Sequence, residues 1–364
     1  MPQMIRSALL ALMLVSLQTV PGLAQPCDPG QLDCSSVILG QSSTQSALRN
    51  SRMVKSIIGS RLAPNPNYVS APLSAYGPAE ETSDPAAHAI AGESTTLTTN
   101  DNDVVKWNAW FDAAYIYTDR DHSISGYDGP MVAASLGFDY SVGESTLIGM
   151  LISYENTDFD TAFGGGIGRL ESNSFGIGLY AGSAITEHIV ADAMLIWSRA
   201  NTDVVETGPN SGSFDSDRVQ AAANLTGYWY QDAWRFSPTL GIAWSHDEQD
   251  SYTLMPALAV SPSQTLESAV AVAGIQIGHT TFLDDVRTVE PWIGINAEWE
   301  FYSSGASGIG VPGADLDPFD VRLLGGINTQ LSDSVSAIIR ADVAGLARSD
   351  YLTATVGGQI AVQF

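Results

Sequence analysis

From Trp107 to the end of the chain, apolar and polar positions alternate with a period of two. In "WNAWFDAAYIYT", Trp107, Ala109, Phe111, Ala113, Tyr115 and Tyr117 share one face, while Asn108, Asp112 and Ala114 share the other. The pattern recurs in Val132, Ala134, Leu136, Phe138 and Tyr140, and again in Val289, Pro291, Ile293, Ile295, Ala297, Trp299 and Phe301. Alternation of this kind is the signature of a strand with one apolar face. Twelve such runs fall at roughly 107–118, 130–141, 146–156, 170–181, 189–201, 216–230, 235–245, 265–279, 288–302, 319–328, 335–344 and 351–364. A strand of about nine to eleven residues, tilted by about 45°, is long enough to cross a bilayer core.

The connections point the same way. Long segments (119–129, 157–169, 202–215, 246–264, 303–318) alternate with short ones (142–145, 182–188, 231–234, 280–287, 329–334). A soluble two-sheet sandwich has no reason for that rhythm, whereas an up-and-down membrane barrel keeps short turns on its periplasmic side and long loops outside. Aromatic residues gather near strand ends as two interfacial belts. Trp107, Tyr140, Trp229 and Trp234 form one, and Tyr117, Tyr154, Trp197, Trp244 and Trp299 the other. The expected fold is all-β: a 12-stranded antiparallel up-and-down transmembrane β-barrel over residues 105–364.

The N-terminal third has different grammar. Arg6, the apolar run "ALLALMLVSL" and the small residues of "QTVPGLA" make a secretory signal peptide over residues 1–24, with cleavage expected between Ala24 and Gln25. The run is too short to span a bilayer comfortably. Residues 25–104 are rich in Pro, Ser, Thr, Ala and Asn and are expected to be largely disordered, a linker or short passenger. One helix is expected within them, at Ser42–Leu62, with apolar Leu48, Met53, Ile57 and Ile58 and basic Arg49, Arg52 and Lys55. In the oxidising space an exported chain meets, Cys27 and Cys34 are expected to close a small disulfide loop.

Charge narrows the partners. The chain carries 40 acidic and 15 basic residues, a net charge of −25, and residues 105–364 hold 32 of the acids and 10 of the bases. Such a surface repels nucleic acid.

The chain ends on "GGQIAVQF", with Ile360, Val362 and Phe364 alternating up to the final carboxylate. This ending resembles the C-terminal assembly signal of Gram-negative outer-membrane proteins, which the barrel-insertion machinery reads. With the strand count, the size and the opening "WNAWFDAAYIYT", residues 105–364 resemble the translocator domain of a classical autotransporter. The resemblance implies a cell outer membrane location, contact with lipid and lipopolysaccharide, and a helix in the lumen ahead of the first strand. It also implies a barrel that anchors the chain and translocates or displays a short N-terminal segment. The alternative is a diffusion pore or adhesion barrel whose N-terminal segment stays periplasmic.

Candidate chemistry is sparse. "DRDH" (Asp119, Asp121, His122) and "SHDEQD" (His246, Asp247, Glu248, Asp250) place imidazole and carboxylate together in expected outer loops. Such a pair can activate water, and omptin-type proteases and outer-membrane phospholipases are similar in outline. A solvated acidic loop is the simpler reading, and no G-x-S-x-G occurs. Asp158 with Asp160, and Asp215 with Asp217, are candidates to bridge a divalent cation to lipopolysaccharide, though no metal site is assigned. "GIGLYA" (Gly176, Gly178, Ala181) lies inside a strand with no helix after it, so it cannot cradle phosphate. No catalytic residue and no cofactor is expected. Inward-facing Arg199, Arg218, Arg235, Arg322 and Arg340 are expected to pair with Asp112, Asp192, Glu290, Glu298, Glu300 and Asp342.

Overall fold

A computed structural model describes residues 34–63, 107–120, 126–143, 145–161, 168–205, 210–284, 287–304, 318–349 and 351–364. The expected signal cleavage site at Ala24 and Gln25, Cys27, Asp121 and His122 lie outside them. Among the described residues, one helix, α1 (Cys34–Leu62), precedes twelve long strands. These are β1 (Trp107–Arg120), β2 (Tyr127–Val142), β3 (Thr146–Thr161), β4 (Gly168–Thr186), β5 (Ile189–Val205) and β6 (Ser211–Gly227). They continue with β7 (Trp234–Gln249), β8 (Gln264–His279), β9 (Thr288–Ser304), β10 (Phe319–Ser332), β11 (Val335–Ala344) and β12 (Tyr351–Gln363).

Every strand pairs antiparallel with its sequence neighbours, and β1 pairs with β12, so the sheet closes. Closure leaves no ladder edge to be satisfied by lipid. The seam is tight to its last residue: Phe364 N donates to Trp107 O at 3.0 Å, and Trp107 N donates to Phe364 O at 3.2 Å. Ile360, Val362 and Phe364 all face outward, Phe364 with 64 % of its surface exposed.

Between the two aromatic belts the outer face is apolar, as the alternation requires: Phe111, Leu136, Ile152, Ile177, Leu195 and Ile293 are all exposed. Above the outer belt the polarity inverts. There Phe159, Leu170, Val204 and Phe214 point inward and are buried, while Asp158, Asp160, Arg169, Glu171 and Asp203 point outward. The strands leave the hydrocarbon and continue as a water-surrounded barrel with an apolar interior. That explains why β2 to β6 extend past the sequence-derived ends: the pattern changes sign before the strand stops.

Helix α1 runs inside the barrel, against β4 to β8. Its 29 residues span about 43 Å at 1.5 Å per residue, more than the bilayer's roughly 30 Å core. It is not apolar enough to cross a membrane by itself, and it does not meet lipid. The helix starts eight residues before the expected Ser42, at Cys34, because Ile38 and Leu39 find an apolar cluster at the outer mouth. Pro64 stands two residues beyond its end, and the residue before a proline is steered away from helix.

Candidate functional site: the lumen and the helix inside it

The polarity of α1 is fixed at both ends. At the bottom, Arg61 donates to Ser141 Oγ at 2.6 Å and lies 3.6 Å from Asp139, beside the short 143–145 turn. At the top, Ile38 and Leu39 are 0 % and 3 % exposed among Tyr127, Phe159, Leu170, Val204 and Phe214. The N-terminal end of the helix is therefore at the long-loop mouth and its C-terminal end at the short-turn rim.

Three layers hold the helix. The upper layer is the apolar cluster at the mouth. In the middle, small polar side chains bond directly to the wall: Ser43 Oγ donates to Asp247 at 2.9 Å, Ser46 Oγ to Glu155 at 2.6 Å, and Asn50 Nδ2 to Gln220 Oε1 at 2.9 Å. In the lower layer Met53, Val54, Ile57 and Ile58 pack against Leu147, Leu151, Val190 and Met194. Close approach needs glycine there: a Cβ on Gly182 would lie 2.4 Å from Ile58 Cγ2. Ile38, Met53, Ile57 and Ile58 are all within 1 % of complete burial, so the helix is sealed against the wall at these positions, whereas Gln41, Thr44, Gln45, Arg52, Lys55 and Ser56 form a half-buried stripe on another face.

Charge complementarity is the strongest feature. Among the described residues, the wall carries eight buried carboxylates (Asp112, Asp139, Glu155, Asp192, Asp247, Glu298, Asp320, Asp342) against four buried arginines (Arg120, Arg218, Arg235, Arg322). The helix has no acid and four cations, Arg49, Arg52, Lys55 and Arg61. They radiate like spokes. Arg49 reaches Asp112 at 2.8 Å and Glu155 at 4.0 Å, and Arg52 lies 3.6 Å from Glu298 and 3.9 Å from Asp342. Lys55 feels Asp192, and Arg61 feels Asp139. A buried charge left unpaired is costly; the helix supplies the positive charge that the wall lacks.

Of the expected inward arginines, four face the lumen. Arg218 meets Asp247 at 3.0 Å, Arg235 meets Glu290 at 2.7 Å, and Arg340 meets Asp112 at 2.6 Å. Arg322, fully buried, holds Glu298 at 2.7 Å, Asp342, and Gln45 of the helix at 3.0 Å. Arg199 does not belong with them. It sits two residues beyond outward-facing Trp197, therefore on the same outer face, and bonds Asp215 at 3.0 Å. Asp192 accepts from Asn224 at 2.7 Å.

At the short-turn rim a second network fixes the wall beneath the helix. Trp110 Nε1 donates to Tyr180 OH at 2.6 Å, and Tyr180 OH donates to Asp139 at 3.0 Å; Asn108 also donates to Asp139, at 2.9 Å. Both rings lie over glycines: a Cβ on Gly137 or Gly149 would sit 2.2 Å from Trp110 or Tyr180.

The candidate loop chemistry falls differently from expectation. His246, Asp247 and Glu248 are in β7, not in a loop. Asp247 faces the lumen at 1 % exposure. His246 faces outward above Trp244, with Nδ1 2.9 Å from Glu267 and Nε2 3.2 Å from Glu248. Glu267 is shared with Tyr302 OH at 2.7 Å. Asp158 receives both arms of Arg169 at 2.7 and 2.6 Å, and Asp215 receives Arg199 and Asn201. These candidate cation ligands are thus engaged by protein donors. Among the described residues no group of three or more His, Cys, Asp or Glu is placed to hold a metal. Gly176 and Gly178 lie in β4 facing inward, against Ser153, Ser198 and Ile196.

A family model described as autotransporter beta-domain matches residues 109–342. Among solved structures, the chain resembles the translocator domain of autotransporter NalP from Neisseria meningitidis. The TM-score is 0.58 at 12 % identity, over 72 % of this chain and 90 % of that one. The beta domain of the Bordetella autotransporter BrkA gives 0.57 at 13 % identity, over 71 % and 100 %. The transport unit of AIDA-I from Escherichia coli gives 0.52 at 12 %, over 74 % and 94 %. No curated protein sequence matches.

Proposed function

Since this chain belongs to the autotransporter beta-domain family, and is thus an outer-membrane barrel of the kind that barrel-assembly machinery inserts in Gram-negative cells, we propose that it anchors its own N-terminus and passes it outward through the lumen. The observation that carries this reading is the direction of α1, with Ile38 at the long-loop mouth and Arg61 at the short-turn rim.

The same direction divides the N-terminal region. What precedes Cys34 leaves at the outer mouth and is the displayed part. The segment between Ala63 and Trp107 is flanked by two residues at the inner rim, and in this reading it stays periplasmic while the part of residues 25–104 ahead of the helix is displayed. A diffusion pore would need an open lumen, and α1 occupies this one along β4 to β8. The outward apolar band meets lipid, and the charged collar above it meets lipopolysaccharide. Ile360, Val362 and Phe364 serve as the assembly signal. The barrel carries no bond-making chemistry in this reading.

The test is epitope insertion in intact cells. A tag between Pro29 and Gly30 is expected to bind antibody without permeabilisation, and a tag between Pro78 and Ala79 only after it. Surface staining of the second tag, or none of the first, refutes the direction of passage.

A further inference from the structure

The outer mouth is closed by an element the bilayer does not require. The connection from β7 to β8 folds as a small hairpin, Tyr252–Leu254 against Ala259–Ser261. Tyr252 and Leu254 point down into the mouth and are buried, whereas Met255, Leu258 and Val260 stand exposed. Directly beneath lie Ile38 and Leu39, the first turns of α1, in the same apolar cluster.

The hairpin rests on the wall along β6, and Asp250 N donates to Asp215 O at 2.9 Å at its base. Met255 exchanges two backbone hydrogen bonds with Ser211, at 2.9 and 2.8 Å, and Tyr252 stacks on Phe214 with ring centroids 4.9 Å apart. Gly212 makes the seat possible, because a Cβ there would lie 2.8 Å from the Tyr252 ring and 3.0 Å from Thr253 O. Just below the cluster the lumen turns polar, with Ser42 and Ser43. Were α1 absent, Tyr252 and Leu254 would keep the wall side chains Tyr127, Phe159, Leu170, Val204 and Phe214 but lose Ile38 and Leu39 from the cluster, and the folded-down position would lose that share of the apolar burial that favours it. The helix and the hairpin each complete the other's burial.

We propose that the hairpin of residues 252–261 is a lid whose closed position is set by the helix: it folds onto Ile38 and Leu39 once α1 is seated and then retains the helix against outward withdrawal. Such coupling is reciprocal by thermodynamic necessity, which makes it measurable from both sides. The proposal extends the direction of passage argued above, yet the two fail separately. Epitope accessibility reads the route of the chain, and amide exchange reads this contact.

The experiment is hydrogen exchange on the full chain in detergent, with gel heat-modifiability confirming that each barrel is folded. Leu39→Asp, or the milder Leu39→Ala, is expected to speed exchange in peptides covering 251–262 at least tenfold, leaving β7 and β8 unchanged. Tyr252→Ala with Leu254→Ala is expected to speed exchange over 38–46 at least tenfold, leaving 53–62 unchanged. Gly212→Leu, which touches the hairpin and not the helix, is expected to repeat that second result. A hairpin indifferent to both Leu39 variants is a fixed part of the wall, and a first helical turn indifferent to both hairpin variants is not retained by it. Either result overturns the proposal.

Discussion

Replacing Arg49 by methionine tests whether the charged spokes, rather than apolar packing alone, hold α1 in the lumen. Methionine keeps much of the side-chain volume and removes the cation. Arg49 is 3 % exposed and donates to Asp112 at 2.8 Å. Its loss does not strand either carboxylate. Asp112 keeps Arg340 at 2.6 Å, and Glu155 keeps Ser46 at 2.6 Å and Arg218 at 3.6 Å. The cost therefore falls below the roughly 3–5 kcal/mol of a buried pair broken to leave a bare charge. It exceeds the roughly 0.5–1.5 kcal/mol of a neutral hydrogen bond. A value of about 2 kcal/mol corresponds to about a 30-fold shift in local opening, since about 1.4 kcal/mol is a factor of ten. Native-state amide exchange of residues 46–58 reads that shift, with the strand amides as internal reference. Helix exchange within twofold of the parent would refute the spoke argument. Equal acceleration of helix and strands would refute it too, because the arginine would then be stabilising the whole barrel. Combining Arg49→Met with Asp112→Asn should show non-additivity of at least about 0.5 kcal/mol, as for residues in direct contact.

Gly149→Ala is expected to lower the urea midpoint of the heat-modifiable form, because its Cβ would sit 2.2 Å from Tyr180 Cζ. Overpacking costs about 1–3 kcal/mol, and a displaced Tyr180 also loses its bond to Asp139; an unchanged midpoint would show that the ring has room to move. Arg218→Met, 5 % exposed and paired with Asp247 and Glu155, is expected to lower that midpoint clearly, whereas Arg199→Ala, 56 % exposed, leaves it within error. Equal effects would contradict the assignment of the two arginines to opposite faces. Phe364→Ser is expected to cut the yield of folded barrel in cells several-fold while the refolded protein keeps its urea midpoint, and an unchanged yield would remove Phe364 from the assembly signal.

The strands were legible where lipid imposes the rule. Between the belts, an outward polar residue is excluded by hydrocarbon, so Phe111, Leu136 and Ile293 mark their faces without reference to anything else. Above the belts that exclusion ends, and Asp158, Asp160 and Arg169 look like loop although β3 and β4 continue through them. The outward position of Arg199 was legible by parity with Trp197; its charge suggested the lumen, but its height above the bilayer allowed the outer face. The helix was half legible. Inside a largely polar lumen α1 needs no single apolar stripe, and Ser43, Ser46, Asn50 and Ser51 look like surface positions until their partners Asp247, Glu155, Gln220 and Asn224 are seen across the lumen. Those partners are more than a hundred positions away in the chain, beyond the reach of local pattern.

The inversion of polarity near the top of the strands also sets a depth stop. Were the cylinder to sink further, Asp158, Asp160, Arg169 and Glu171 would be dragged toward hydrocarbon, where a lipid-facing lysine or arginine costs about 2–4 kcal/mol at the midplane and an acid somewhat less. Were it to rise, Ile152, Ile177 and Leu195 would meet water. The molecule thus carries its own waterline, drawn by two residue patterns of opposite sense on the same strands.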